Sequence, residues 1–217
     1  MIDLCYLDEA GFAMTQPTNY SWFPRGQRLT IPYEANQGRR VNVIGGYFSH
    51  GPQAGRLEFE TRVSLPKSKA KTPRKTEEER AEAHGVKPEE VGPIDAECFL
   101  TFVWQLAGRP PEASEGWKRE IPLVIPLDNY SVHKCERVEA EQPRLEAAGI
   151  RLFRLPSYSP ELSDIEPIWQ DVKHHELTQR SHHRLGTLLT DVRSALRKKA
   201  DKLRNSFLSR QLPCGTT

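Results

Sequence analysis

The spacing of hydrophobic positions predicts three β-strands in the N-terminal part of the chain. Apolar and polar side chains alternate through IDLCYLDEAG (2–11), as they do in a strand with one buried face. RVNVIGGYFS (40–49) and GRLEFETRV (55–63) are also strand-like, and the turn formers HGPQAG between them predict a hairpin. The segment MTQPTNYSWFPRGQR (14–28) mixes turn residues with aromatic residues, which favours a loop or an irregular hairpin.

Hydrophobic runs further along the chain alternate between helix and strand character. The dense apolar segment AECFLTFVWQLAG (96–108) ends at a glycine and predicts a buried helix. IPLVIPLDN (121–129) is short and β-branched, which is typical of an inner strand buried on both faces. A polar helix interrupted by Pro143 is expected over 131–148, and IRLFRLP (150–156) predicts another strand.

The last part of the chain predicts two helices. One lies within SYSPELSDIEPIWQDVK (157–173), and a long basic helix is expected at about 185–208, where leucines recur at helical spacing. The element order is therefore β-β-β-α-β-α-β-α with a further C-terminal helix. That order predicts an α/β fold in which helices flank a mixed sheet, formed by the whole chain, 1–217, as a single domain.

A charged insertion at about 66–95 separates the third predicted strand from the first predicted helix. It contains few apolar residues, so it is expected to be a mobile excursion or a short exposed helix. A solvated linker is the favoured interpretation, because charge runs usually face water. The alternative is a nucleic-acid contact through the basic residues Lys67, Lys69, Lys71, Arg74 and Lys75.

Composition excludes only a few classes of function. A formal net charge of +2 neither demands nor excludes nucleic acid. The four cysteines form no CxxC pair, which argues against a thiolate zinc site or a disulfide framework. No secretory signal follows Met1, and no apolar run approaches the ~20 residues that span a bilayer. We therefore expect a soluble, cytoplasmic protein with no membrane partner.

Three isolated acids fall at the ends of predicted elements. Asp8 is expected at the end of the first strand, Asp128 at the end of LVIPLD, and Glu166 near the start of the next helix. In α/β sheets, functional sites gather beyond the carboxyl ends of strands. Carboxylates that converge there repel one another, and a divalent cation such as Mg²⁺ offsets the repulsion. The pattern therefore predicts a carboxylate metal site.

Each of these acids also has a structural interpretation. Asp8 could belong to a turn, and the pair Asp128-Asn129 is typical of an Asx turn. Glu166 could complete a capping box with an N-cap Ser163, in which each side chain binds the other residue's backbone amide. The sequence alone leaves both interpretations open for all three acids.

Three segments resemble the motif blocks of the mariner-type insertion-sequence transposases, which are DDE endonucleases with an RNase H-like fold. The blocks are LDEAGF (7–12) with SWFPRGQ (21–27), LDNYSVH (127–133), and LPSYSPELSDIEPIWQDVK (155–173). The third block is the most specific, because so long a string rarely arises by chance. The resemblance implies an RNase H-like mixed sheet, in agreement with the predicted element order.

The resemblance also implies which residues form the site. Asp8, Asp128 and Glu166 would be the catalytic triad and the metal ligands, with two Mg²⁺ ions per site and Mn²⁺ as a substitute. The residues expected to support the triad are Glu9, Asn129 and His133. For His133, a plain role at a helix start is an equal alternative to a role in the site.

The activity implied by the resemblance is DNA strand cleavage followed by strand transfer during transposition of an insertion element. The partners would be the element ends and target DNA, and in a bacterium the protein would be associated with the nucleoid. The cations expected to contact DNA phosphates are Lys173, Arg193, Arg197 and Lys198. The alternative is that the basic face of these last helices is merely solvated and contacts no DNA.

One departure from the family concerns DNA recognition. The family's helix-turn-helix region precedes the first strand, and this chain is expected to lack it. A separately encoded DNA-binding half would then be a partner, and a homodimer is expected because such transposases often work as dimers. Two other functions fit the same residues: an RNase H-like nuclease with another substrate, and a catalytically dead remnant that only binds DNA.

Overall fold

Five strands form one mixed sheet. The computed structural model describes residues 1–16, 24–27, 30–66, 76–110, 113–114, 116–156 and 159–211. The strands are β1 Asp3–Ala13, β2 Arg40–His50, β3 Leu57–Ser64, β4 Leu123–Leu127 and β5 Ile150–Arg154. Their order is β3-β2-β1-β4-β5, antiparallel between β1, β2 and β3 and parallel between β1, β4 and β5. The predicted mixed sheet, hairpin and inner strand are therefore confirmed.

The described residues contain helices on both faces of the sheet. The α-helices are α1 Glu77–Ala83, α2 Ala96–Leu106, α3 Glu136–Ala147, α4 Glu166–Asp171 and α5 Leu185–Gln211. A π-helical turn at Val172–Glu176 continues α4, and a 3₁₀ turn at Ser131–Lys134 precedes α3. Among these described helices, none combines the length and the apolar character that crossing a membrane requires. The predicted element order is observed, with α1 as an additional helix.

The sheet divides the hydrophobic core into two layers, because successive strand residues point to opposite faces. One layer lies between the sheet and α2 and α3, and it includes Leu7 and Phe99. The other lies between the sheet and α4 and α5, and it includes Phe12 and Trp169. Neighbouring residues of β1 therefore point into different layers. The two adjacent acids at positions 8 and 9 consequently point to opposite faces of the sheet.

Part of the charged insertion is folded, so the linker interpretation is wrong for residues 76–95. Thr76 caps α1, since its side chain accepts from the Glu79 amide and the Glu79 carboxylate accepts from the Thr76 amide. Ala81 is fully buried and Val86 is nearly so, and both join the core beneath α5. The short helix is confirmed, while the basic residues within 67–75 lie outside the described part of the chain.

Helix α3 runs through Pro143 without the predicted interruption. Proline removes one backbone hydrogen bond from a helix interior. Val138 and Leu145, on either side of the proline, are 1% and 0% exposed, so burial holds both halves of the helix against the sheet.

The loop predicted over 14–28 is only partly described. Residues 17–23 and 28 lie outside the described part, and these include most of the aromatic portion. Thr15 forms an isolated bridge with Ser181, so the start of this segment is attached to the chain that leads into α5.

Candidate active site

The three predicted acids line one open cavity of about 480 Å³ beside the end of β4. Asp8 comes from β1, Asp128 directly follows β4, and Glu166 is the first residue of α4. Tertiary folding thus brings together side chains that are far apart in sequence. The other described lining residues are Leu7, Asn129, Tyr130, Lys134, Leu155, Pro156, Ser159, Pro160 and Ser163.

Asp8 lies in the middle of β1, and the prediction that it ends the strand is wrong. The alternation of buried positions continues through Phe12, so the strand extends beyond the acid. Asp3 pairs in parallel with Leu123, and the same offset places Asp8 level with Asp128. Strand β1 therefore extends beyond the end of the shorter strand β4. Asp8, in the middle of β1, lines the cavity at that point.

Asp8 is held by the helix that carries Glu166. Trp169 Nε1 donates a hydrogen bond of 3.0 Å to Asp8 Oδ2, and the Trp169 side chain is almost fully buried. Burial raises the pKa of the Asp8 carboxyl to about 7. A hydrogen bond from the Glu9 backbone opposes that rise in pKa, and the charges of Glu9, Glu166 and Asp128 add to it. The carboxylates therefore repel one another across the cavity.

His133 joins two acids of this region. Its ring is fully buried, with Nε2 3.0 Å from Glu9 Oε1 and Nδ1 3.1 Å from Asp128 Oδ1. Phe99 stacks on the ring at a centroid distance of 4.6 Å. Burial by itself lowers the pKa of His133, but the hydrogen bond and charge of Glu9 and the charge of Asp128 raise it above its ordinary value. His133 thus lies in the 3₁₀ turn and also contacts the site.

Asp128 and Asn129 fix the end of β4. Asp128 Oδ1 accepts from the Tyr130 backbone amide at 2.8 Å, so the predicted Asx turn is observed. Asn129 Nδ2 donates to the Leu155 carbonyl at 2.6 Å, which ties the ends of β4 and β5 together. The Asp128 side chain is 57% exposed, so the turn leaves it open to the cavity.

The alternative interpretation of Glu166, a capping box with Ser163, is not what the structure shows. Asp164 and Ile165 form a turn, so α4 begins at Glu166 and not at Asp164, two residues earlier. Ile165 is the N-cap residue and makes no side-chain cap, while the Ser163 carbonyl accepts from the Glu166 amide at 3.2 Å. Glu166 is half-buried and lines the cavity, so its side chain is free of the local role that competed with chemistry.

The donor set of the cavity fits a hard divalent cation. Mg²⁺ prefers carboxylate oxygens, and it would relieve the repulsion that adds to the effect of burial on the pKa of Asp8. In this conformation Asp8 and Asp128 are bound to protein donors. Within the described ranges, no group of three His, Cys, Asp or Glu side chains is arranged to hold an ion. The exposed Asp128 side chain has room to rotate toward such an ion.

The four cations predicted to contact DNA lie outside the cavity lining. Arg193 Nη1 is 2.6 Å from Glu90 Oε1, and Lys198 Nζ is 3.2 Å from Glu176 Oε2. These two are held by acids of the chain itself. Lys173 lies 5.6 Å from the centre of the Phe12 ring, and Arg197 is exposed on α5.

Two residues of this region were not singled out by sequence reasoning for a role in the site. Trp169 belongs to the third motif block, but nothing in the sequence shows that it reaches Asp8. Lys134 directly follows His133 and lines the cavity, where it is exposed. Its position next to a motif residue was the one available signal.

Solved structures share this fold. The Mos1 transposase paired-end complex with left transposon end is 14% identical with a TM-score of 0.51, covering 93% of this chain and 52% of that chain. The Mos1 mariner paired end complex with Mn is 14% identical with a TM-score of 0.52, at the same coverages. The chain thus spans about half the length of the chains it matches. No curated protein matches it.

Fold and cavity together define the chain as an RNase H-like α/β domain with carboxylates gathered beside two neighbouring strands. A sequence model described as "DDE superfamily endonuclease" matches residues 77–189, just over half of the chain. The chain belongs to the DDE superfamily endonucleases. The matched segment includes Asp128 and Glu166, whereas Asp8 lies outside it and lines the same cavity.

Proposed function

We propose that the chain is the catalytic domain of a DNA transposase, which cleaves DNA strands and transfers them during transposition of an insertion element. The observation that carries the proposal is the single open cavity shared by Asp8, Asp128 and Glu166 in a DDE endonuclease domain. Matched structures that are transposase complexes with a transposon end and with Mn support it.

In this proposal the three acids hold two Mg²⁺ ions, with Mn²⁺ as a substitute. Bound ions of this kind activate water for attack on a phosphodiester and stabilise the leaving 3′ oxygen. Glu9 and His133 hold Asp128 from the protein side, at the distances given above. Asn129 ties the end of β4 to the end of β5 through its hydrogen bond to the Leu155 carbonyl, and Trp169 holds Asp8 through its indole N–H.

The proposed partners are the element ends and target DNA, with a separately encoded DNA-binding half and a second copy of the chain as further partners. Such work on DNA places the protein in the cytoplasm, on the nucleoid of a bacterial host. Phosphate contacts are proposed first at Lys134, because it is the exposed cation of the described cavity lining. Lys173 and Arg197 are proposed next, whereas Arg193 and Lys198 are engaged by Glu90 and Glu176.

A nicking assay tests the proposed function. DNA that carries the ends of the element is incubated with the intact chain and Mg²⁺ or Mn²⁺. Cleavage should require the ion, and Asp128→Asn and Glu166→Gln should each reduce the rate by more than about 100-fold, the upper end of the loss caused by removing an outer-shell partner of a metal site. The exposed Asp201→Asn on α5 serves as the control and should cut like the parent.

Three outcomes separate the candidate functions. Ion-dependent nicking and joining of DNA ends support the transposase. Cleavage of RNA–DNA hybrids without joining would identify a nuclease with another substrate. Cleavage that is equal in the parent and both acid variants would show that the chemistry does not occur in this cavity.

Lys134→Ala should weaken DNA binding equally across sequences. A lost phosphate contact reduces the slope of log K against log salt concentration by about 1. Fluorescence anisotropy of labelled duplex DNA between low and moderate salt measures that slope. Lys118→Ala is the matched control, because Lys118 is exposed and precedes β4, at the opposite end of the strand from the cavity. Equal slopes for both variants would remove Lys134 from the DNA contact.

A further inference from the structure

We propose that Trp169 is a positioning residue that sets the placement of Asp8 relative to Glu166. Seated over Gly45, the indole couples the two acids, which come from different elements. The inference rests on the proposed function, because it concerns the geometry of the same site.

The first observation is that α4 carries both Glu166 and Trp169, and that the Trp169 indole donates a hydrogen bond to Asp8. Trp169 lies three residues after Glu166, so the two side chains are about one turn apart on α4. The indole is 2% exposed, and its Nε1 is 3.0 Å from Asp8 Oδ2. A buried N–H without an acceptor is destabilising, so Asp8 is a required partner of this ring.

The second observation is the glycine directly opposite Asp8. Gly45 of β2 pairs with Asp8 of β1, and side chains at paired positions point to the same face. A Cβ at Gly45 would lie 2.4 Å from Trp169 Cη2 and 2.8 Å from Cζ2. Glycine weakens a strand interior and often marks the close approach of another group. Here the missing side chain makes room for the indole.

These two contacts couple the strand to the helix. The ring lies against Gly45 of the sheet, and Ile165, the N-cap residue of α4, also approaches Gly45, with its Cδ1 3.5 Å from the same Cβ position. Any shift of α4 therefore moves the hydrogen-bond donor of Asp8 as well as Glu166. Outer partners that orient ligating groups are worth about 10–100-fold in metal affinity or activity. Trp169 is such a partner for Asp8.

Trp169→Phe tests the hydrogen bond, because it keeps an aromatic ring and removes the donor. Calorimetric titration of the intact chain with Mn²⁺ should show binding weakened by about 10–100-fold. The urea midpoint should fall no further than in the control. That control is Trp104→Phe, since Trp104 Nε1 also donates to a carboxylate, Glu141 Oε1 at 3.2 Å, on the other face of the sheet.

Gly45→Ala tests whether the indole needs the space that the glycine leaves open. Its matched control is Gly46→Ala, whose Cβ would lie 2.7 Å from Leu106 Cδ1 and 3.0 Å from Cys5 Sγ in the other core layer. Both alanines overfill the core and should lower the urea midpoint. Only Gly45→Ala should also weaken Mn²⁺ binding and slow nicking, because only it displaces the indole.

The outcomes separate this inference from the proposed function. If Trp169→Phe binds Mn²⁺ and nicks DNA as the parent does, Trp169 has no positioning role. If the parent shows no Mn²⁺ binding that depends on Asp128, the proposed function fails, and hydrogen exchange of the Trp169 indole N–H then decides the inference. Slow exchange in the parent that becomes fast in Asp8→Ala supports the coupling. Exchange as fast as that of a free indole in the parent overturns it.

Discussion

Asp8→Asn should stabilise the ion-free protein at pH 8 while it abolishes cleavage. Burial raises the pKa of Asp8 to about 7 from its ordinary value of 3.8, so the folded state holds a proton that the unfolded state releases above pH 3.8. Stability is therefore lost as the pH rises from about 4 to about 7, and the loss is complete above pH 7. Asparagine carries no charge and removes this loss, while its amide oxygen can still accept from Trp169.

The size of the effect depends on pH. At about 1.36 kcal/mol per pKa unit, the gain from Asp8→Asn should be about 3 kcal/mol larger at pH 8 than at pH 5. Urea unfolding of parent and variant at both pH values, without divalent ions, measures it. Addition of Mg²⁺ at pH 8 should stabilise the parent and leave Asp8→Asn unchanged, because only the parent retains the full ligand set.

A control separates this effect from a general change in charge. Asp201→Asn removes an exposed acid on α5 and should show the same small change at both pH values. If the gain from Asp8→Asn is equal at pH 5 and pH 8, the carboxyl is not held protonated by its surroundings. The effect of burial on the pKa of Asp8 would then be absent.

Arg119→Met should destabilise the protein by about 3–5 kcal/mol without changing the site, because it leaves a buried charge without its partner. The Arg119 side chain is 8% exposed and its Nη2 contacts Asp3, which is 1% exposed. Arg119 Nε also donates to the Ile121 carbonyl at 2.8 Å. This pair lies where β1 and β4 begin to run in parallel, five residues before Asp8. Urea unfolding measures the loss.

Two further variants test whether the loss of stability in Arg119→Met comes from the unpaired buried charge. Asp3→Asn combined with Arg119→Met should recover part of the loss, because the double variant buries no net charge. Arg137→Met removes a cation from a surface pair with Glu97, at 61% and 68% exposure, and should cost less than about 1 kcal/mol. A loss as small for Arg119 as for Arg137 would show that the buried pair does not hold the start of the sheet.

The tertiary structure corrected several local predictions for identifiable reasons. Asp8 was expected at a strand end, but the length of β1 depends on its pairing with β2, which extends to Ala13. The alternative capping box at Glu166 had the right residue types at the right spacing, yet the preceding turn delays the helix by two residues. Arg193 and Lys198 appeared as surface cations, and long-range folding placed acids beside them.

The sequence by itself determined the strands, the helices and their order, because hydrophobic periodicity reports which side of each element is buried. It also indicated Asp8, Asp128 and Glu166, since a motif block surrounds each of them. Only the tertiary structure decided that Asp8 lies level with Asp128 and that Trp169 reaches Asp8 over Gly45. Those contacts join residues more than 100 positions apart in the chain, and their geometry depends on strand register and helix docking, which local periodicity does not encode.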